Sequence, residues 1–123
     1  MQGNNNSFRW NETSGNGYAT GPAVDFGVGI MGSNNIFEAN TAVGNSNGIV
    51  VFPLAANNAV RQNLAVGNPP IQQSTSVPTG GGVDIWDQSP PSNNNTFVGN
   101  LCLTAVNTSC SPASSAVPRK PAG

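Results

Sequence analysis

The sequence predicts an all-β fold, a parallel β-helix (solenoid) of about four coils with almost no α-helix. Three observations point there. An asparagine-rich frame recurs four times, a short apolar block follows each of the first three copies, and no stretch carries helical periodicity with caps.

The frame is Asn-Asn-x-(Phe/Val)-x-x-Asn, with Gly-Asn further on. Copy one is Asn5-Asn6-Ser7-Phe8-Arg9-Trp10-Asn11, ending Gly15-Asn16. Copy two is Asn34-Asn35-Ile36-Phe37-Glu38-Ala39-Asn40, ending Gly44-Asn45. Copy three is Asn57-Asn58-Ala59-Val60-Arg61-Gln62-Asn63, ending Gly67-Asn68. Copy four is Asn94-Asn95-Thr96-Phe97-Val98-Gly99-Asn100, with Thr104-Ala105 where Gly-Asn stood. Copies starting near residues 5, 34, 57 and 94 lie 29, 23 and 37 residues apart. The 23-residue interval is the bare unit. Insertions at about 16–22 and 69–82 lengthen the other two. The repeats thus occupy residues 1–110, and 111–123 form a Pro/Ser/Ala-rich tail or linker.

The second block is Ala23-Val24-Asp25-Phe26, then Gly48-Ile49-Val50-Val51, then Gly82-Val83-Asp84-Ile85. Its period of two reads as a strand with one buried face. Val24, Ile49 and Val83 are expected inward with Phe26, Val51 and Ile85. Asp25, Val50 and Asp84 are expected outward. Each coil therefore holds two short strands, separated by Asn and Gly corners.

In such a coil each strand pairs with its equivalent about 4.8 Å along the axis, so equivalent residues stack on themselves. Phe8, Phe37, Val60 and Phe97 form one interior column. Thr13, Ala42, Ala65 and Cys102 form a small-residue column beside it. Asn11, Asn40, Asn63 and Asn100 form a polar column at a corner. An asparagine there supplies donors and an acceptor to backbone groups that lack ladder partners, tolerates the left-handed conformation, and bonds to its stacked copies.

The run Asn35 to Val51 resembles the right-handed parallel β-helix repeats of the pectate-lyase-like superfamily. More narrowly, it is similar to the carbohydrate-associated or periplasmic copper-maturation type of repeat. The resemblance covers about residues 5 to 110. It implies the fold and a right-handed winding. It does not select a function, because that superfamily holds lyases, hydrolases, epimerases, adhesins and non-catalytic scaffolds.

A chain of 123 residues is one domain at most. Four Lys/Arg against five Asp/Glu leave a net charge of −1 and no basic patch, which disfavours nucleic acid. No run approaches the roughly 20 apolar residues of a membrane-spanning helix. The repeat starts at once, without a capping element, and a bare coil end exposes strand edges and apolar side chains. The chain is therefore expected either to adjoin further β-helix coils or to stack head to tail into a filament. Cys102 and Cys110 are expected to form a disulfide across the last coil; free thiols are the alternative. Low charge, abundant Asn, Ser and Thr, no lysine before Lys120 and the cysteine pair point to a secreted or cell-surface protein.

Available chemistry is sparse. With no histidine, Ser-His and Cys-His catalysis are excluded, and two cysteines cannot complete a zinc site, so neither a metal nor another cofactor is expected. Gly80-Gly81-Gly82 follows no strand and opens no helix, so it is no phosphate loop. Asn-x-Ser/Thr triplets at Asn5, Asn11, Asn94 and Asn107 arise by chance in an Asn-rich chain. The acids are Glu12, Asp25, Glu38, Asp84 and Asp87. Asp25 and Asp84 are expected two coils apart, about 10 Å by strand spacing, just beyond an inverting glycosidase pair, with Asp87 as a third candidate. The resemblance implies calcium-binding acids with a Lys or Arg base in lyases, and clustered Asp motifs in hydrolases. Arg9 and Arg61 occupy equivalent positions but match no lyase motif. Trp86, expected outward beside Asp84, Asp87 and Gln88, is a weak glycan-contact patch or a cover packed under the 69–82 insertion. The leading expectation is a non-catalytic extracellular scaffold that self-associates or contacts polysaccharide; the alternative is a fragment of a polysaccharide lyase or glycoside hydrolase.

Overall fold

The computed structural model describes residues 2–16, 26–68 and 82–111. Twelve strands among the described residues wind as a right-handed parallel β-helix. The strands are β1 (Ser7–Arg9), β2 (Glu12–Ser14), β3 (Val28–Ile30), β4 (Ile36–Glu38), β5 (Thr41–Val43), β6 (Ile49–Val51), β7 (Ala59–Arg61), β8 (Leu64–Val66), β9 (Ile85–Asp87), β10 (Thr96–Val98), β11 (Leu101–Cys102) and β12 (Ala105–Val106). They form three parallel four-stranded sheets, β1-β4-β7-β10, β2-β5-β8-β11 and β3-β6-β9-β12. A 3₁₀ turn at Pro91–Asn93 is the helical element of the described residues.

Each coil has three strands where two were expected. The first apolar run splits in two at its central asparagine. The residue before that asparagine is left-handed in every coil: Trp10, Ala39, Gln62 and Gly99 have φ of 59°, 56°, 55° and 70°. One left-handed residue turns the chain sharply, so the three-residue strands on either side lie in different sheets. The other corners repeat the device. Asn5, Asn34, Asn57 and Asn94 are left-handed before the first sheet, and Gly15, Gly44 and Gly67 after the second.

In the first two sheets three residues per strand put one side chain inside and two outside, hence the repeated pattern of a buried centre between half-buried flanks in β4, β5, β7 and β8. The centres are the stacked columns. Phe8 pairs with Phe37, Phe37 with Val60, and Val60 with Phe97. Thr13, Ala42, Ala65 and Cys102 align in the same way. The Phe8 and Phe37 rings lie parallel, 5.1 Å apart. Phe37, Ile49, Val51, Val60 and Ile85 are fully buried, and burial of a side chain of that size contributes about 1.5–3 kcal/mol.

In the third sheet the register differs from expectation. Val28, Ile49, Ile85 and Ala105 align, then Gly29, Val50, Trp86 and Val106, then Ile30, Val51 and Asp87. Ile49, Val51 and Ile85 do face the tube. Val83, expected inside with them, is buried in a second cluster with Val50 and Trp86, against which Phe26, Phe52 and Val106 pack. Phe26, also expected inside, meets Phe52 edge-on at 5.3 Å. Val24 and Asp25 lie outside the described residues. The similarity of Val-Asp-Phe to Val-Asp-Ile does not set the register; close approach does. A Cβ on Gly48 would sit 2.3 Å from the Asp84 carbonyl oxygen, and one on Gly27 would sit 2.5 Å from the Asn45 amide. Glycine is therefore required one residue before the inward Ile49 and Val28. The insertions expected at 16–22 and 69–82 and the tail fall largely outside the described residues.

Candidate functional site

Polar side chains along the corners are organised into three axial ladders. In the middle ladder Asn11, Asn40 and Asn63 each donate their backbone N–H to the Oδ1 of the next rung, at 2.9, 2.8 and 3.0 Å. Their Nδ2 groups donate to the same oxygens. Each rung also reaches back: Asn40, Asn63 and Asn100 donate Nδ2 to the carbonyls of Phe8, Phe37 and Val60. Both ends of the amide are thus used, which a carboxylate or a hydroxyl cannot reproduce.

Two further ladders flank it. Asn6, Asn35, Asn58 and Asn95 form one. Asn16, Asn45 and Asn68 form the other, and its fourth rung is Asp84. Neither was read from the sequence as a ladder, although the signal is there. Within a coil the rungs are five residues apart, as in Asn35, Asn40 and Asn45, because each side of the tube consumes three strand residues and a two-residue corner.

Asp84 departs most from expectation. It is buried, not outward. Its Oδ1 accepts from the Asn68 backbone N–H and Nδ2, at 3.3 and 2.8 Å. Its Oδ2 accepts from the N–H groups of Leu103 and Thr104, at 2.9 and 3.1 Å. Its own N–H donates to the Thr104 hydroxyl at 2.9 Å. The fourth copy has Thr104-Ala105 where the others have Gly-Asn, and Asp84 fills the missing rung. A carboxylate suits this place because donors approach it from both sides.

Trp86 projects from the tube wall but is 7% exposed and packed in the outer apolar cluster, so its ring face is not presented to a ligand. Asp87 accepts from the Ser89 N–H at 3.0 Å and from the Ser89 hydroxyl. The Gln88 N–H donates to the Val51 carbonyl. The expected patch of Trp86, Asp84, Asp87 and Gln88 therefore does not form one accessible face. The Asp25–Asp84 pair cannot be placed, since Asp25 lies outside the described residues.

Glu38 lies on the outer face of the first sheet, in register between Arg9 and Arg61. Its two carboxylate oxygens each accept from one guanidinium Nε, both at 2.8 Å. Burial opposes its ionisation, but the hydrogen bonds and charges of Arg61 and Arg9 outweigh that and hold its pKa below the ordinary carboxylate value.

The two coil ends differ. At the first coil a cavity of about 430 Å³ is lined by Phe8, Thr13, Val28 and Phe37, among others. At the last coil Cys102 is bonded to Cys110, and the Ser111 N–H donates to the Asn100 carbonyl at 2.8 Å. Among the described residues no group of acids, cysteines or histidines is arranged to hold a metal ion, and no helix is long and apolar enough to cross a membrane.

A family model described as a right handed beta helix region matches residues 1–102. No curated protein and no solved structure matches the chain.

Proposed function

The chain belongs to the right-handed β-helix family, and from that premise we propose that it is a non-catalytic, exported repeat module with a structural role, one that stacks on further coils at its ends. The use made of three of its five acids carries this reading. Asp84 is consumed as a ladder rung, Glu38 is clamped between two arginines, and Asp87 is held by Ser89. A reacting carboxylate needs an open approach and a partner acid. The cysteine pair is compatible with an oxidising compartment.

A second reading, a piece of a polysaccharide lyase or glycoside hydrolase, draws on one observation. Asp87 lines a cavity of about 490 Å³ together with Ser89, Pro91, Asn95, Phe97 and Asn107. A weak contact with polysaccharide at this place, without turnover, belongs to the first reading.

The test is an assay on uronate-containing and neutral polysaccharides, with and without calcium. No turnover is expected. Turnover that Asp87→Ala abolishes while the strand signal in circular dichroism is retained would overturn the structural role.

A further inference from the structure

We infer that the segment Cys110–Ser111 occupies, within the molecule, the place of a further coil, and that the Cys102–Cys110 disulfide is a lock on end-to-end stacking of this chain with a second copy of itself. The inference rests on the structural reading above and names its partner and its control.

The backbone pattern between coils is regular. Thr41 N–H donates to the Asn11 carbonyl, Leu64 N–H to that of Asn40, and Leu101 N–H to that of Asn63. At each step the first residue of a strand in the second sheet bonds the ladder asparagine one coil earlier. The next acceptor in the series is the Asn100 carbonyl. Its donor is Ser111 N–H, at 2.8 Å. Ser111 thus stands where the first residue of a fifth strand would stand. Cys102, in register with the buried Ala65, lies at the end of the small-residue column, and Cys110 is bonded to it there.

The opposite end of the chain has the complementary pattern. In a second copy placed one coil rise further on, about 4.8 Å, Glu12 takes the position that Ser111 occupies. Phe8 of that copy falls over Phe97, as Phe37 falls over Phe8 within the chain. Asn6 and Asn11 bring their Oδ1 acceptors to the N–H groups of Asn95 and Asn100, and the Asn11 Nδ2 reaches the Phe97 carbonyl. Each of these is a bond type that every internal step already makes. Phe8, Val28 and Phe37, which line the cavity at the first coil, lie beside this step. The contact is heterologous, so it propagates rather than closing on itself.

Opening the lock is a thiol–disulfide exchange. A dithiol reductant gives up two electrons and two protons, the Cys102–Cys110 bond breaks to two thiols, and the dithiol becomes a cyclic disulfide. The covalent hold on Cys110 and Ser111 is then gone, and displacing the Ser111 N–H frees the Asn100 carbonyl for Glu12 of a second copy.

The experiment is sedimentation velocity of the 123-residue chain over a concentration series, oxidised and after a dithiol, with circular dichroism of each sample. The oxidised chain is expected to stay monomeric. The reduced chain is expected to keep its strand signal and grow with concentration to a weight-average mass at least about threefold the monomer's. Glu12→Pro removes the axial donor, and the reduced Glu12→Pro chain is expected to remain monomeric. A combined Cys110→Ser, Ser111→Pro variant, which removes the disulfide and the Ser111 donor, is expected to stack without reductant. Stacking of the oxidised chain to the same extent overturns the lock and leaves the stacking reading standing. Loss of strand signal on reduction also overturns the lock, because the bond then holds the fold. Growth that Glu12→Pro leaves unchanged overturns the proposed pairing. A monomeric, folded Cys110→Ser, Ser111→Pro variant overturns end-to-end stacking itself.

Discussion

Asn68 and Asp84 are sixteen residues apart in the same coil, yet they are successive rungs of one ladder. The Asn68 Nδ2 donates to the Asp84 Oδ1 at 2.8 Å, and the Asp84 Oδ2 accepts two backbone N–H groups of the final coil. A side chain that comes before the last coil supplies the acceptor that the last coil's own sequence lacks.

Asp84→Asn follows from this directly. The change is nearly isosteric, but one amide face must turn an N–H₂ towards donors, either those of Leu103 and Thr104 or those of Asn68. Leaving such buried groups unmatched costs about 1–3 kcal/mol each. A loss in that range is expected in urea unfolding followed by circular dichroism, whereas Asp87→Asn, at a half-buried site, should lose less than about 1 kcal/mol.

Asn63 is fully buried and donates or accepts on both faces of its amide, to Asn40, Phe37 and Asn100. Asn63→Asp keeps the acceptor and loses the donor, placing an oxygen against the Phe37 carbonyl. It should destabilise by at least about 2 kcal/mol at neutral pH. Protonation supplies a donor again, so the deficit relative to the unsubstituted chain should narrow in acid. An unfolding series that shows an equal deficit at both pH values would contradict this.

The left-handed corner beside each ladder gives an opposite pair of effects. Ala39 carries a Cβ at φ 56°, whereas Gly99 fills the equivalent place at φ 70°. Ala39→Gly relieves a penalty of about 1–2 kcal/mol but adds unfolded-chain entropy, so a net gain of up to about 1 kcal/mol is expected. Gly99→Ala should lose about 1 kcal/mol, since its new Cβ also meets the Gln62 Cγ at 3.4 Å. Thermal melts of the two variants should move in opposite directions.

Glu38 makes part of the stability depend on pH and salt. Its folded-state pKa is lowered, so its contribution is complete above the ordinary carboxylate pKa and is lost as pH falls through the folded value. The arginine side chains are 41% exposed, and solvent screening keeps the two bridges together under about 1 kcal/mol. Glu38→Gln should flatten the acid limb of the melting temperature against pH, and added salt should shrink the difference between the two proteins.

The coil is legible in the repeat alone. Phe8, Phe37, Val60 and Phe97 stack as their spacing requires, because a tube has one interior and each three-residue strand of the first sheet offers it one central side chain. The Asn11–Asn100 column was legible for the same reason: a residue that recurs at a corner must lie over its own copy. The use of residues outside the repeat depends instead on contacts between coils. Asp84 and Trp86 look like surface groups when the period is counted along the chain, but Asp84 is drawn in as a ladder rung and Trp86, on the outer side of the wall, is covered by the cluster it forms with Val50 and Val83. Register in the third sheet depends on which glycine lets two backbones approach, and rung identity depends on which acceptor comes within reach. Those are distances between coils, and the linear order of residues does not contain them.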